Sequence, residues 1–144
     1  MKRNAFTMIE LVFVIVILGI LAAVAIPRFA ATRDDAQITK GRSDVAAIRS
    51  AIVSERQTRL LKGDIAYVSA LDGVSTNLFD GPDANHTLLQ YGIAPGVGNG
   101  KWAKTAANTF TYTVLGDPVA FTYTQATGAF DCTHTNLNCK RLTE

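Results

Sequence analysis

Residues 6–27, FTMIELVFVIVILGILAAVAIP, decide the fold of this 144-residue chain. A helix that crosses a membrane needs about 20 predominantly apolar residues, and the only ionisable side chain in this stretch is that of Glu10. An unpaired carboxylate inside a membrane costs about 2.5 to 3.5 kcal/mol on insertion scales, so it needs a positively charged partner. The stretch itself contains no basic residue. We therefore expect another copy of the chain to supply the charge that pairs with Glu10.

The residues before this stretch indicate how such a charge could arise. Lys2 and Arg3 are the nearest basic side chains on the N-terminal side, and a cut just before Phe6 would remove both and leave an α-ammonium four residues from Glu10. Residues 5–11, AFTMIEL, follow a short basic leader and open the apolar run. This pattern resembles the N terminus of type IV pilins and type II secretion pseudopilins.

The resemblance implies a defined processing event. In that family a membrane-embedded peptidase cleaves just before the phenylalanine and methylates the new amine, and the glutamate then pairs with a neighbouring subunit's N terminus. For this sequence the resemblance implies cleavage between Ala5 and Phe6, methylation of Phe6 and an assembly role for Glu10. The family usually has glycine before the cut, and Ala5 is small enough that we expect processing to take place.

The resemblance also implies partners and a location. The partners would be other copies in a homo-oligomeric filament, the prepilin peptidase and methylase, an inner-membrane assembly platform and minor pilins. The chain would cross the bacterial inner membrane once, with its C-terminal domain in the periplasm, and later join a periplasmic or cell-surface filament. We favour a pseudopilin of a type II secretion or DNA-uptake machine, and a surface pilin for adhesion or motility is the alternative.

An ordinary secretory signal would use the same residues differently. Lys2 and Arg3 would form its basic region, residues 11–22 its apolar region, and Ala23-Val24-Ala25 its cleavage site. The mature protein would then begin at Ile26. Glu10 argues against this interpretation, because such a signal gains nothing from an acid beside its apolar core.

Charge and cysteine content narrow the function classes further. The chain has 14 basic and 12 acidic residues, and the loss of Lys2 and Arg3 would make the mature form neutral, so no bulk attraction to nucleic acid is implied. Cys132 and Cys139 are the only cysteines, and their turn-rich surroundings favour a local disulfide formed outside the cytoplasm. A zinc site that also used His134 would lack a C-x-x-C pair and a fourth ligand.

Helical character continues beyond the apolar run. Ile38, Val45, Ile48 and Ile52 fall at the spacing of an amphipathic helix, which we expect to end at Lys62-Gly63. Together these signals predict one helix of about 85 Å over residues 6–62. Residues 6–27 would form its transmembrane and filament-core half, and residues 28–63 its amphipathic half.

Two features of this helix bear on assembly. Pro27 removes a backbone donor and crowds the preceding turn, so we expect a bend or a loosened helix between Gly19 and Pro27. In the resembling family this stretch can lose helicity inside the filament. Gly19 and Ala23 form a small-xxx-small pair that would let helices approach closely, although such residues are also simply tolerated in apolar helices.

Three arginines repeat at intervals of seven along the amphipathic half. Arg42, Arg49 and Arg56 flank the apolar stripe, which favours a solvated edge with their aliphatic stems packed along it. Contacts to acids of neighbouring subunits and binding of a polyanion such as DNA are the alternatives.

Residues 64–108 contain many turn signals and predict a long structured connection with room for one short helix. Asp80, Asp83 and Asn85 resemble a calcium loop, but the bidentate glutamate of an EF-hand is absent, and we expect no metal. Residues 83–87, DANHT, contain an N-x-T glycosylation sequon. The acid two residues before Asn85 resembles the extended sequon of some bacterial glycosylation systems.

The last third of the chain, residues 109–144, predicts an antiparallel β-meander with a disulfide-closed C terminus. Residues 109–114 and 119–124 alternate apolar with polar side chains, and Phe130 and Cys132 follow a turn. The aromatic face of this sheet should cover the helical stripe, which gives an α+β fold: a long N-terminal helix packed on a small sheet. The resemblance implies the same architecture. Trp102 reads as a loop anchor packed on the sheet, with partner binding as the alternative.

No catalytic constellation is evident. His86 and His134 have no nucleophile partner, and the glycine-rich residues 96–100 lack the strand-and-helix setting of a phosphate loop. We therefore expect a structural filament subunit without enzymatic activity or cofactor. A membrane-tethered periplasmic binding module, which would recognise a ligand through residues 64–108, is the alternative from a different class. Such a module would tolerate changes at Glu10.

Overall fold

The computed structural model describes residues 6–144. Its elements follow in the order α1 (Met8–Leu61), β1 (Trp102–Ala106), β2 (Thr109–Val114), β3 (Asp117–Thr124), β4 (Ala129–Cys132) and α2 (Leu137–Thr143). The chain divides into two compact units, Met1–Asp35 and Ala36–Glu144. We call the first the N-terminal unit and the second the head, and α1 contributes residues to both.

The N-terminal unit exposes its apolar side chains. All side chains of residues 6–24 are exposed, including Phe13 at 65% and Leu18 at 58%. By length and composition α1 could cross a membrane, and none of its most apolar window is buried. The core helix of a soluble protein would have that window covered. The α-helix assignment is continuous through residues 19–27, so the structure shows no break in the helix before Pro27. The predicted bend stays a prediction, as does the loss of helicity that the family resemblance implies for the filament.

The head is built on the amphipathic part of α1. Val45, Ile48 and Ile52 are at most 2% exposed and belong to one core cluster with the sheet. Because these three positions follow a helical period, they lie on one face of α1. The predicted cover of this stripe by the aromatic face of the sheet is confirmed.

The sheet has four antiparallel strands in the order β1-β2-β3-β4. Burial alternates along β2 and β3, as expected for strands with one face on the core. The buried face is largely aromatic, and its aromatic residues are Trp102, Phe110, Tyr112, Phe121, Tyr123 and Phe130. The predicted α+β fold is confirmed, and the meander has one strand more than expected.

That additional strand, β1, lies in the segment that was predicted to be a connection. Trp102 is a strand residue rather than a loop anchor, and it is fully buried, with its Nε1–H donating to Asp44 Oδ2 at 3.0 Å. The prediction of a packed anchor was therefore correct, and its placement in a loop was wrong. The short helix was also wrong: residues 64–101, all of which the structure describes, form no helix after α1 ends.

The connection before β1 is held in place where its residues 78 and 79 pack into the core. Leu78 and Ile93 form an isolated antiparallel bridge, and the next residue, Phe79, is completely buried against Trp102 and Phe110. Phe79 has a φ of 62°, a left-handed conformation that is uncommon for a bulky residue. This conformation accompanies burial of the ring where the chain turns.

The C terminus contains a short helix that the sequence did not predict. Asn136 caps α2 by accepting hydrogen bonds from the N–H groups of Asn138 and Cys139. Cys139 and Leu142 on α2 are buried in the head core. The predicted Cys132–Cys139 disulfide is present and joins the end of β4 to α2.

Candidate functional site

The first turn of α1 carries the candidate assembly site. The Thr7 hydroxyl accepts a hydrogen bond from the Glu10 N–H at 3.3 Å, and the Thr7 carbonyl accepts one from the Leu11 N–H at 3.2 Å. Thr7 is therefore the N-cap of α1, and Glu10 stands at the third helical position. Residues 7–10, TMIE, match the capping-box pattern S/T-x-x-E, which the sequence reasoning overlooked. Of the two reciprocal hydrogen bonds of a capping box, the structure shows the one that the Thr7 hydroxyl accepts.

The carboxylate of Glu10 is left available by this cap. It makes no hydrogen bond or ion pair with any residue between 6 and 144. Its position near the start of the helix is favourable, because the helix dipole is positive there, but that effect contributes only about 0.3 to 1 kcal/mol. Its neighbours Met8 and Ile9 are apolar and about 80% exposed. Glu10 is thus an acid inside an uncovered apolar surface.

The processing residues fall at the edge of the described chain. Phe6 is 75% exposed. Ala5, with the rest of the predicted leader, lies outside the described residues, so the predicted cut between Ala5 and Phe6 stays a prediction.

Gly19 leaves the backbone of the apolar helix accessible. A Cβ atom built there would meet nothing within 4 Å in this chain. Another helix could therefore approach the backbone at Gly19 closely, as the small-xxx-small pair with Ala23 predicts. Gly19 and Pro27 keep their predicted assembly roles as predictions.

Arg42 and Arg49 lie at the solvated edge of α1 and also bind other parts of the head. Arg42 donates to the Arg141 carbonyl from Nε at 3.0 Å and from Nη2 at 2.7 Å. Arg49 donates to the Phe130 carbonyl at 3.0 Å and to Asp131 Oδ1 at 2.9 Å. Because β4 is an edge strand, Arg49 satisfies a carbonyl that would otherwise be open to another strand. In both guanidinium groups, Nε and Nη2 are engaged within the head.

Arg56 completes the same pattern by a different contact. Its guanidinium carbon lies 3.7 Å from the centroid of the Tyr67 ring, in a cation–π arrangement. The arginine repeat therefore fastens α1 to the C-terminal helix, to an edge strand and to the connection in turn. Arg42 is exposed, as the predicted solvated edge requires, and Arg49 and Arg56 are half-buried. The contacts within the head were not predicted, and they give no support to a DNA-binding stripe.

The two candidate metal sites do not present a free ligand set. Cys132 and Cys139 approach Asp131, but their sulfurs are bonded to each other and cannot act as thiolate ligands. In the other cluster, the oxygens of Asp80 accept hydrogen bonds from the Gly73 and Ser75 N–H groups and from the Ser75 hydroxyl. Asp80 therefore orders its own loop.

The carboxylates of these clusters are tuned by their hydrogen bonds. Burial alone would raise the pKa of Asp80, but the Ser75 hydroxyl and the Gly73 and Ser75 N–H groups outweigh it and hold the pKa below its ordinary value. Burial would also raise the pKa of Asp131, and the Cys132 N–H, His134 and Arg49 together lower it. Both groups stabilise the head in their charged form.

The connection borders an open groove of about 490 Å³ between residues 72–78 and 95–104. Its ionisable lining residues are Asp72 and Lys104, which pair with each other at 2.9 Å. A ligand site would need convergent polar groups that are free to bind. This groove gives the binding-module alternative little support.

The N-terminal segment matches a known family model. The model described as the prokaryotic N-terminal methylation motif covers residues 1–26, which include the leader, Glu10 and most of the apolar run.

Curated relatives are pilins and a secretion protein. The chain is 49% identical over 51 residues to the type IV narrow pilus major component PilA5 of Thermus thermophilus, an alignment that covers 35% of this chain and 44% of the relative. It is 41% identical over 51 residues to the type II secretion system core protein G of Pseudomonas aeruginosa, covering 35% and 36%. A fimbrial protein of Pseudomonas aeruginosa is 29% identical over 119 residues, covering 74% and 77%.

The chain therefore spans less than half the length of the first two relatives, and only the fimbrial alignment extends through most of the head. No solved structure matched the chain. The resemblance to type IV pilins and type II secretion pseudopilins is confirmed by the motif and by these relatives.

Proposed function

We propose that this chain, which carries the prokaryotic N-terminal methylation motif, is a structural subunit of a type IV pilus-like filament. It is inserted in the inner membrane with its head in the periplasm, cleaved between Ala5 and Phe6, and methylated on the new amine. It then leaves the bilayer, and its apolar helix packs into the filament core. Its partners are copies of itself, the prepilin peptidase, minor pilins and an inner-membrane assembly platform.

One observation carries this proposal: α1 is apolar and uncovered over residues 6–24, with a carboxylate in its first turn that no described residue neutralises. The head core is closed around residues 45–52 of the same helix and includes no residue of this surface. Lipid covers it before assembly, and equivalent helices cover it afterwards.

Charge pairing decides whether the exchange of lipid for helix contacts is favourable. Apolar contacts are similar in lipid and in a filament core, so they give little net drive between the two states. An uncompensated carboxylate would oppose burial in either place. Pairing Glu10 with the Phe6 amine of a neighbouring copy removes this cost only in the filament.

Among filament classes we place the chain first with pseudopilins of a type II secretion or DNA-uptake machine. Similarity to core protein G supports this assignment, and similarity to PilA5 supports a surface pilus for adhesion or motility as the second candidate. Deletion of the gene should abolish protein secretion or DNA uptake and leave surface pili unchanged. Loss of surface pili with normal secretion and uptake would favour the second candidate.

The assembly role of Glu10 can be separated from its role at the helix start. Glu10→Ala should leave membrane insertion intact and abolish filaments. Glu10→Gln keeps a side chain that can complete the capping box but removes the charge, and it should fail to assemble as Glu10→Ala does. Thr7→Val removes the capping hydroxyl and keeps the charge, so it should still form filaments.

The measurement is the amount of filament per membrane-inserted subunit for each variant. If Glu10→Gln assembles normally while Thr7→Val fails, Glu10 acts through helix capping and the charge-pairing mechanism is wrong. Filaments of normal abundance from Glu10→Ala would contradict an assembly role for Glu10. A wild-type chain that forms no filament and tolerates Glu10→Ala would favour the tethered binding module.

A further inference from the structure

The head carries one acceptor sequence for an N-linked sugar. Asn85-His86-Thr87 is the only Asn-x-Ser/Thr sequence among the 144 residues, and its middle residue is not proline. Such a sequon is used only where it lies on the surface of an exported protein. The two requirements are surface exposure of the sequon and export of the head.

The sequon lies in an exposed turn that Asp83 organises. The Asn85 N–H donates to Asp83 Oδ1 at 2.8 Å, and the His86 N–H donates to the Asp83 carbonyl at 3.1 Å. The His86 ring approaches the same carboxylate, with Nδ1 2.8 Å from Oδ1. Asp83, Asn85 and Thr87 are all exposed. These bonds therefore lie at the surface.

The base of the turn is fixed to the core. The Gly81 N–H donates to the Leu71 carbonyl at 3.0 Å, and the Leu89 N–H donates to the Phe79 carbonyl at 3.0 Å. Leu71 and Phe79 are completely buried. The sequon can consequently change conformation between two anchored ends without disturbing the core, because only surface hydrogen bonds must open.

A glycosylation acceptor needs a free asparagine amide and a free hydroxyl two residues later. Among residues 6–144, the side-chain amide of Asn85 and the hydroxyl of Thr87 make no hydrogen bond. The amide is therefore free to react, and the hydroxyl is free to be recognised. The head also contains the Cys132–Cys139 disulfide, which places it in an oxidising compartment outside the cytoplasm.

We propose that Asn85 is the attachment site of an N-linked glycan, transferred outside the cytoplasm from a lipid-linked glycosyl pyrophosphate. The Asn85 amide nitrogen forms a bond to the anomeric carbon of the sugar and gives up one proton to a base of the transferase. The bond between the anomeric carbon and the pyrophosphate oxygen breaks, and the lipid pyrophosphate leaves with the electron pair. Nothing is oxidised or reduced.

This site does not depend on filament assembly. It requires export of the head and nothing from the N-terminal unit, so a Glu10→Ala chain that inserts but does not assemble should still be modified. A failure of the assembly mechanism and a failure of this proposal therefore give different results.

The test is the mass of the tryptic peptide 63–101 from full-length protein isolated from the organism that encodes it. Cleavage after Lys62 and Lys101 releases this peptide with Asn85 inside it. The expected result is an added mass that corresponds to sugar units. The addition should be lost in Asn85→Gln and in Thr87→Val, and kept in Thr87→Ser, which restores the hydroxyl.

Asn77→Gln is the matched control, because Asn77 lies in the same peptide outside any sequon, and it should keep the added mass. Emission from the single, buried Trp102 verifies that each variant is folded. A peptide of unmodified mass from the native organism would overturn the proposal. Sugar that persists in Asn85→Gln or in Thr87→Val would overturn it as well.

Discussion

Gly41 shows how a single residue sets the distance between α1 and the sheet. A Cβ atom at this buried position would lie 2.6 Å from Leu142 Cδ2 and 2.8 Å from Tyr112 Cζ. The tyrosine cannot retreat easily, because its hydroxyl donates to the Gln37 carbonyl at 2.7 Å. Only glycine fits this approach without repacking.

We therefore predict that Gly41→Ala destabilises the head. Overpacking typically costs about 1 to 3 kcal/mol, which outweighs the gain of up to about 1 kcal/mol from alanine in a helix. Urea unfolding of the full chain in detergent, followed by Trp102 fluorescence, measures the difference. Gly19→Ala on the same helix is the control and should not lower the midpoint, since a Cβ there meets nothing. An unchanged or higher midpoint for Gly41→Ala would contradict this packing.

Asp80 gives a prediction with a defined pH dependence. It is 8% exposed and accepts three hydrogen bonds from its loop. Hydrogen bonds lower its pKa in the folded protein below the ordinary value, so its contribution is complete above the unfolded-state pKa and is lost as pH falls through the folded-state pKa. Asp80→Asn should lower the free energy of unfolding by about 2 kcal/mol at pH 7.

The difference between wild type and Asp80→Asn should shrink once the pH falls below about 4. Urea unfolding at a series of pH values tests this. Asp35→Asn, at an exposed position of α1, should stay within about 0.5 kcal/mol of wild type throughout. A stability difference that grows toward acid pH would show that Asp80 is not held in its charged form.

At the residue scale, sequence reasoning succeeds where a side chain conflicts with its local surroundings. Glu10 stands out because one acid interrupts an apolar run, and no structure is needed to notice it. The roles of Arg42 and Arg49 could not be found in this way. Their acceptors, the carbonyls of Arg141 and Phe130, are more than 80 residues away in sequence, and spacing along a helix carries no information about them.

Among the helices and strands, those with a periodic apolar pattern were predictable from sequence. A strand that forms only because it pairs with a neighbouring strand was not. Strand β2 alternates polar and apolar residues over its whole length, and β3 alternates large apolar residues with alanine and threonine from Val119 on. The structure buries the large residues of both strands. Strand β1, WAKTA, buries only its first residue fully and has a register shift between Lys104 and Ala106. Its strand conformation comes from pairing with β2, which its own sequence does not encode.

Helix α2 depends on a tertiary link in the same way. It has seven residues, fewer than an isolated helix needs for stability in water, and it is held by the disulfide and by burial of Cys139 and Leu142. A short helix of this kind has no periodic signal to predict it.

Loss of the disulfide should therefore release α2. Cys132→Ala combined with Cys139→Ala, or reduction of wild type, should lower the free energy of unfolding by about 2.5 kcal/mol from loop entropy. Trypsin should then cleave after Lys140 before Trp102 emission changes. Oxidised wild type is the control. If the reduced tail resists trypsin as well as the oxidised tail does, the side-chain packing of α2 is sufficient and this account of the C terminus is wrong.

At the scale of the whole molecule, the chain combines a closed head with an uncovered apolar helix. The head buries its aromatic residues in one core. The N-terminal unit has no comparable core, because its side chains over residues 6–24 are all exposed. An exposed apolar surface of this extent marks a membrane or protein interface. The contrast between the two units supports a subunit that moves from a bilayer into a filament.

The central claim is that Glu10 is neutralised by the amine of another copy. The most direct test is a filament structure at side-chain resolution. We predict that the Glu10 carboxylate lies within about 4 Å of the Phe6 α-amine of a neighbouring subunit, which is the range of an ion pair. A filament in which every chain retains residues 1–5, or in which Glu10 contacts only its own chain, would contradict the claim.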